Sequence, residues 1–163
     1  MKRALLALAT GLALSVSAHA VPLLSEGFDD VSALTGWTYA NTSTPGLGLE
    51  PDWFQGNSGV FVAQAGADDA YIASNFNAAP AGGYIGNTLA TPYFSMESDV
   101  MLTFWARGST SEGFLDHFAV FFQTGFDTPV QVLADTTALA DWTQYTVNVA
   151  GLGAASTGRF GFN

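Results

Sequence analysis

Three segments in the second half of the chain alternate in side-chain character with a period of two residues, and this pattern limits the fold more than any other feature. In the first of them, VMLTFWAR, Val100, Leu102 and Phe104 lie on one side of an extended backbone and Thr103 lies on the other. Successive side chains of a β-strand point to opposite faces of its sheet, so the alternation predicts strands. Residues 117–124 carry apolar side chains on both sides, which predicts a strand buried on both faces. The three predicted strands are residues 100–107, 117–124 and 142–151.

The rest of the chain changes repeatedly from short apolar runs to Gly, Asn, Asp and Pro, which is typical of an all-β domain. Helical spacing after residue 20 is limited to a short turn at Val31 and Leu34. Residues 41–52 and 106–116 are predicted to be long surface loops. Weaker strands are predicted at residues 23–28, 59–64, 70–76, 84–95, 129–134 and 158–162. About nine short strands predict a jelly-roll-type β-sandwich of two antiparallel sheets.

The first 20 residues have the layout of a secretory signal peptide. Lys2 and Arg3 precede an apolar run, and the segment ends in Ala-His-Ala, which matches a small-x-small cleavage site. The run is shorter than the roughly 20 residues that a membrane-spanning helix needs. The sequence therefore predicts removal of residues 1–20, secretion without membrane insertion, and a single domain over residues 21–163.

After the predicted cleavage site, the chain carries 14 acidic residues but only two basic ones, Arg107 and Arg159. A chain without a basic patch is not expected to bind nucleic acid or anionic lipid. It contains no cysteine, so disulfides cannot stabilise it outside the cell. Its 13 Phe, four Trp and five Tyr provide the apolar area for a core instead.

Several acidic residues are candidate ligands for a structural calcium ion, which binds about six to eight oxygen atoms. Glu26 and Asp29 lie close together in the stretch SEGFDD, Asp68 and Asp69 lie in GADDAY, and Asp116 precedes a predicted strand. The alternative is that these acids keep turns and strand ends solvated. The sequence has no D-x-D-x-D-G calcium loop, so both interpretations stay open.

Three aromatic residues near predicted loops are candidates for carbohydrate binding: Trp53, Trp37 and Tyr84. Exposed aromatic rings offer an apolar face on which a sugar ring can stack. Trp53 has Asp52 and Gln55 beside it, and their side chains could hydrogen-bond to sugar hydroxyls. The alternative is that both tryptophans fill the open end of the core.

The sequence predicts no enzymatic activity. His117 is the only histidine after residue 20, whereas zinc needs three or four His, Cys or acidic ligands. The stretch GNSGV does not match the G-x-S-x-G motif of serine hydrolases. A glycoside hydrolase would need two carboxyl groups about 5–10 Å apart across a cleft, and the sequence identifies no such pair. A glycoside hydrolase-type enzyme is therefore only the third alternative.

A set of seven segments runs along residues 23–163: LLSEGFDDVSALTGW, DWFQGN, AYIASNFN, LATPYFSM, VMLTFWARG, LDHFAVFF and DWTQYTVNVAGL. In this order and spacing they resemble the choice-of-anchor J domain, which is related to the cleaved-adhesin domains of bacterial surface proteases. The resemblance implies a secreted bacterial jelly-roll sandwich, often with structural calcium. It also implies a C-terminal PEP-CTERM sorting tail in many members, and this sequence has no such tail.

The apolar alternation of Phe160 and Phe162 still runs where the sequence stops, which predicts a domain truncated at its C-terminus with strands missing. Together with the resemblance, the sequence predicts a secreted, non-enzymatic, adhesin-like binding or scaffold module of the bacterial cell surface or extracellular matrix. The expected partner is an exopolysaccharide or a surface glycan. The alternative function is a carbohydrate-binding module with an aromatic sugar platform.

Overall fold

The computed structural model describes residues 21–109 and 115–163, and these are built almost entirely of antiparallel β-strands. The predicted signal peptide, residues 1–20, lies outside the described residues. Within the described ranges, the two helices are three-residue 3-10 turns, Val31–Ala33 and Phe76–Ala78, and neither is long enough to cross a membrane. The strands are β1 (Thr38–Asn41), β2 (Phe54–Gln55), β3 (Ile72–Ala73), β4 (Asn87–Ala90), β5 (Phe94–Ser95), β6 (Val100–Ala106), β7 (His117–Thr124), β8 (Val130–Thr137), β9 (Thr143–Val149) and β10 (Thr157–Phe162).

The strands form one large sheet and two small ones. The large sheet has the order β1-β4-β10-β7-β8, and β5 also pairs with β10. Strands β6 and β9 form the second sheet, with Val100 opposite Val149 at one end and Ala106 opposite Thr143 at the other. Strands β2 and β3 form a short separate pair. The predicted all-β fold with antiparallel sheets is confirmed, and the jelly-roll arrangement stays a prediction.

The hydrophobic core lies between the large sheet and the β6–β9 sheet. Phe104 of β6 packs edge-on against two rings of the large sheet, Phe118 at 5.8 Å and Phe162 at 5.1 Å between ring centroids. Face-to-face packing of two sheets in this way is a β-sandwich. The fully or nearly buried members of the core are Met96, Val120, Phe122, Val147 and Phe160.

Strand β7 confirms only in part the prediction of a strand buried on both faces, because Phe121 and Gln123 on its outer face are half-buried. It lies between β10 and β8, and no side chain from Phe118 to Thr124 is fully exposed. Val120 and Phe122 face the core, while Ala119 and Phe121 lie on the outer face of the large sheet. Strand β10 likewise pairs on both sides, with β4 and with β7, so the final described strand is central in its sheet.

Two weakly patterned segments predicted as strands are not strands, because local turns use their backbone groups. In residues 23–28, the N–H of Phe28 donates to the Glu26 carboxylate at 2.8 Å, and Phe28 has a φ of 57°, which is incompatible with an extended backbone. In residues 59–64, the N–H groups of Val60 and Phe61 both donate to the carbonyl of Asn57. The short turn predicted at Val31 is confirmed as a 3-10 turn.

The loop before β2 docks on the second 3-10 turn through backbone hydrogen bonds. The N–H of Gly48 donates to the Ala78 carbonyl at 3.1 Å, and the N–H of Glu50 donates to the Asn77 carbonyl at 3.1 Å. The Glu50 carboxylate then accepts hydrogen bonds from the side-chain amides of Asn75 at 2.6 Å and Asn77 at 3.1 Å. The polar groups that meet in this contact are therefore hydrogen-bonded to each other.

We expect the Glu50 contact to weaken in acid. The hydrogen bond from Asn75, followed by that from Asn77, holds the pKa of the Glu50 carboxyl below its ordinary value. A lowered folded-state pKa stabilises the fold above the pKa of the unfolded chain, and the contribution is lost as the pH falls through the folded-state pKa. The difference in thermal midpoint between wild type and Glu50→Gln should therefore shrink as the pH falls below about 4.3.

The control for this prediction is Glu97→Gln, which removes an exposed carboxylate that makes none of these contacts. Thermal melts of the three proteins between neutral and acidic pH provide the measurement. A gap between wild type and Glu50→Gln that stays constant over the series would contradict the prediction.

Candidate functional site

The outer face of the large sheet carries a shallow groove with a volume of about 350 Å³. The groove crosses strands β4, β10 and β7 on the side of the sheet that faces away from the core. Binding sites for small ligands are concave and usually of about 300–1,000 Å³, so the groove is of a suitable size. Its lining residues are Thr88, Ala90, Phe121, Gln123, Pro129, Arg159, Gly161 and Asn163.

The groove exists because small residues meet in register across the sheet. Gly161 of β10 pairs with Ala90 of β4 on one side and with Phe121 of β7 on the other. Ala90 in turn pairs with Thr38 of β1. Residues in register point to the same face of a sheet, so a glycine and an alanine next to each other leave a depression in that face.

Arg159 lies across one end of the groove in a fixed orientation. Its Nε donates to Oε1 of Gln123 on β7 at 2.8 Å, and its Nη1 donates to the hydroxyl of Thr38 on β1 at 3.2 Å. Its guanidinium carbon lies 4.9 Å from the centroid of the Tyr93 ring, within the range of a cation–π contact. Contacts in three directions restrict the rotation of this long side chain.

The turn between β7 and β8 holds two of these partners in place. The hydroxyl of Tyr93 donates to the Gly125 carbonyl at 2.6 Å, and Nε2 of Gln123 donates to the Asp127 carbonyl at 2.8 Å. The turn is itself closed by a hydrogen bond from the Asp127 N–H to the Thr124 carbonyl at 2.9 Å. Arg159 is therefore positioned by partners that are themselves fixed.

Among the described residues, no carboxylate pairs with Arg159, although the chain is strongly acidic. Within residues 21–109 and 115–163, the single contact of 4 Å or less between a basic and an acidic side chain joins Nδ1 of His117 to Oδ2 of Asp135 at 3.2 Å. The side chain of Arg159 is partly buried, so its charge is partly removed from water. Such a charge is most stable when an anion or a set of hydrogen-bond acceptors completes its surroundings.

Comparisons with known proteins assign no family to the chain. No family model, no curated protein and no solved structure matches it. The resemblance to the choice-of-anchor J domain therefore stays a hypothesis, and the role of the groove is inferred from its own residues.

The three aromatic residues predicted to bind carbohydrate lie outside the groove. Trp37 packs edge-on against Phe28 with ring centroids 5.3 Å apart. Trp53 is partly buried, and its buried indole N–H has no hydrogen-bond partner among the described residues. Tyr84 is 82% exposed. No ring–ring contact joins the three positions within the described part of the chain. Their role in carbohydrate binding stays a prediction.

The structure brings two of the acidic stretches together through Gln55. Its Nε2 donates to the carbonyls of Phe28 at 2.8 Å and Asp69 at 2.6 Å, and its Oε1 accepts from the N–H of Val31 at 2.8 Å. The segment with Glu26 and Asp29 therefore lies beside the segment with Asp68 and Asp69.

Asp116 instead accepts from the N–H of Ser109 at 2.7 Å, beside the Gly108 backbone. Among the described residues, no group of three or more His, Cys, Asp or Glu side chains is placed to hold a metal ion. No ion is assigned to these loops, and calcium stays a prediction from the sequence.

A second uncovered surface is the outer face of the β6–β9 sheet. Trp105 is 44% exposed there and lies opposite Gln144, and Met101 is 65% exposed opposite Asn148. Trp105 was not among the predicted aromatic candidates. One end of this sheet carries a second hollow of about 320 Å³, lined by residues that include Met101 and Asn148. Trp105 and Gln144 do not line either hollow, so they provide control positions for the groove.

The alternation of side chains at the end of the sequence is a local signal for the groove. In the ending TGRFGFN, Arg159 and Gly161 alternate with Phe160 and Phe162. Because the two phenylalanines face the core, Arg159 and Gly161 must share the outer face. Arg159 is also one of only two basic residues after residue 20, which makes its position unusual in this chain.

Proposed function

We propose that the protein is a non-enzymatic, adhesin-like binding module that recognises a glycan through the groove on the outer face of its large sheet. The observation that carries the proposal is the groove itself, with a fixed Arg159 at one end and a floor of small residues. Export rests on the layout of residues 1–20, and a location at the bacterial cell surface or in the extracellular matrix rests on the family resemblance.

The groove offers the groups that sugar recognition uses. Gln123, Asn163 and Thr88 have side chains that donate and accept hydrogen bonds, which suits the hydroxyl groups of a sugar. Phe121 adds apolar surface of the kind that packs against the C–H face of a pyranose ring. Gly161 and Ala90 allow such a ring to approach the backbone closely.

Binding, rather than cleavage, is the activity that this lining favours. Glycoside hydrolysis needs two carboxyl groups on either side of the scissile bond. The side chains that line the groove include no carboxylate, no imidazole and no thiol. We therefore propose that the groove binds a glycan without cleaving it. A scaffold role of the protein would follow from holding polysaccharide chains in this groove.

A groove-filling variant tests the proposal. At Gly161, a Cβ atom would have its nearest neighbours at 3.9 and 4.0 Å, so Gly161→Val fits the strand and fills the floor. Affinity gel electrophoresis in xylan, mixed-linkage β-glucan, galactomannan, alginate and polygalacturonate gives the readout. We expect at least one polysaccharide to retard wild type, and Gly161→Val to bind it about tenfold more weakly or worse.

The matched controls lie on the other sheet, where Gln144→Ala and Trp105→Ala change exposed side chains outside the groove. Both should migrate like wild type. The proposal fails if no polysaccharide retards wild type, or if Gly161→Val behaves like wild type while Trp105→Ala loses binding. Thermal melts of each variant show that the fold is retained.

A further inference from the structure

We propose that Arg159 makes the groove selective for a carboxylate-bearing sugar, so that the glycan is one that contains uronic acid units. This inference rests on the glycan-binding function proposed above and names its substrate class. It starts from the one strong charge in the groove, which no carboxylate of the described residues neutralises.

The unused part of the Arg159 guanidinium is suited to a carboxylate. Nε and Nη1 donate to Gln123 and Thr38, and within the described residues Nη2 has no hydrogen-bond partner. A guanidinium binds a carboxylate through two parallel N–H···O bonds, which are stronger than bonds between neutral groups. The contacts of the other nitrogens set the plane of the group in advance, so little conformational entropy is lost when a ligand binds.

The chain's own acids do not complete this site. Asp127 lies on the adjoining turn, but its carboxylate accepts from the Thr124 hydroxyl at 2.7 Å and makes no ion pair with Arg159. A chain with 14 acidic residues has many ways to neutralise an arginine on its surface. An arginine that is held in place with free N–H donors can bind the carboxylate of an external ligand through charge-assisted hydrogen bonds.

The surroundings of Arg159 favour a sugar acid over an acidic peptide. Gly161 and Ala90 provide a flat floor next to the guanidinium, and Phe121 provides apolar surface beside it. A uronic acid has a compact pyranose chair with one carboxylate at its edge, so one face of the chair would lie on the floor while its carboxylate meets Arg159. A peptide carboxylate offers no comparable ring.

The other acidic residues of the chain limit how long a negatively charged test ligand can be. Repulsion between exposed charges is largely screened beyond about 8 Å at physiological ionic strength. A short oligosaccharide can occupy the groove without approaching many of the other acidic residues, whereas a long polyanion cannot. Trigalacturonic acid is therefore the appropriate ligand, and its methyl ester is a neutral ligand with the same sugar ring.

Isothermal titration of the full chain with these two ligands tests the inference. We expect wild type to bind the acid about tenfold or more tightly than the ester, as for a hydrogen bond to a charged group. Arg159→Gln should lower the affinity for the acid about tenfold and bring the two affinities to within about twofold of each other. Arg159→Lys, which keeps the charge but loses the planar fork, should recover only part of the preference.

Gln144→Glu is the matched control, since it changes the net charge by the same amount on the β6–β9 sheet. It should keep the full preference for the acid. Equal binding of acid and ester by wild type would overturn the inference, as would equal losses in Arg159→Gln and Gln144→Glu. Binding of hexaglutamate as tightly as trigalacturonic acid would also overturn it. If Gly161→Val abolishes binding of a neutral polysaccharide that wild type binds without preference for acid, the proposed function holds and this inference alone fails.

Discussion

Replacing Phe160 with alanine is expected to lower the free energy of unfolding by about 3–5 kcal/mol. Phe160 is 2% exposed, and its ring lies 5.4 Å from Phe94 and 5.3 Å from Phe122 between centroids. Removal of the ring takes away its buried apolar area and leaves a cavity that neighbouring rings cannot fill completely. Since single domains are stable by only about 5–15 kcal/mol, this is a large fraction of the total.

Chemical denaturation monitored by tryptophan fluorescence measures the effect, and Phe126→Ala is the matched control. Phe126 lies on the turn between β7 and β8 and is fully exposed. The same chemical change should therefore alter the free energy of unfolding by less than about 0.5 kcal/mol. Similar losses in the two variants would contradict the placement of Phe160 in the core.

Replacing Gly48 with alanine is the second large effect, with an expected loss of about 3 kcal/mol of unfolding free energy. A Cβ atom at this position would overlap the carbonyl oxygen of Asn77 and would lie 2.6 Å from the carbonyl oxygen of Ala79. Both obstacles are backbone atoms, so no rotation of a side chain relieves the overlap. The loop must move away from the second 3-10 turn, and the hydrogen bond from the Gly48 N–H to Ala78 is then lost.

Gly46, two residues earlier in the same loop, provides the control. A Cβ atom there has no neighbour within 4 Å, so Gly46→Ala should be neutral or slightly stabilising. Denaturation curves of the two variants measured side by side decide the question. Equal stability of Gly48→Ala and Gly46→Ala would show that the loop does not dock as described.

The strands with a strong alternation were predictable because their core-facing positions carry apolar residues in the sequence. Strands β6, β7 and β9 all carry apolar residues at every second position, and the structure places them within a few residues of the predicted bounds. Strand β1, by contrast, has the sequence TYAN, which carries no such alternation. Its extended form depends on pairing with β4, a contact more than 40 residues away in the chain.

The candidate site was less predictable than the fold for a related reason. The sequence search favoured acidic clusters and loop aromatics, because those residue types carry most known binding chemistry. The groove instead depends on which residues of four different strands come into register, such as Thr38, Gly161 and Gln123. Register between distant strands is a tertiary property, so no local motif marks it.

The turn between β7 and β8 fixes both Tyr93 and Gln123, although it forms no part of the groove floor. Under the proposed function, ligand preference would be adjustable from a hairpin tip, since such tips tolerate changes in length and sequence better than a sheet does. If the groove binds sugars as proposed, directed evolution toward other sugars should randomise residues 125–128 first, because the contacts of this tip hold the two side chains that orient the Arg159 guanidinium.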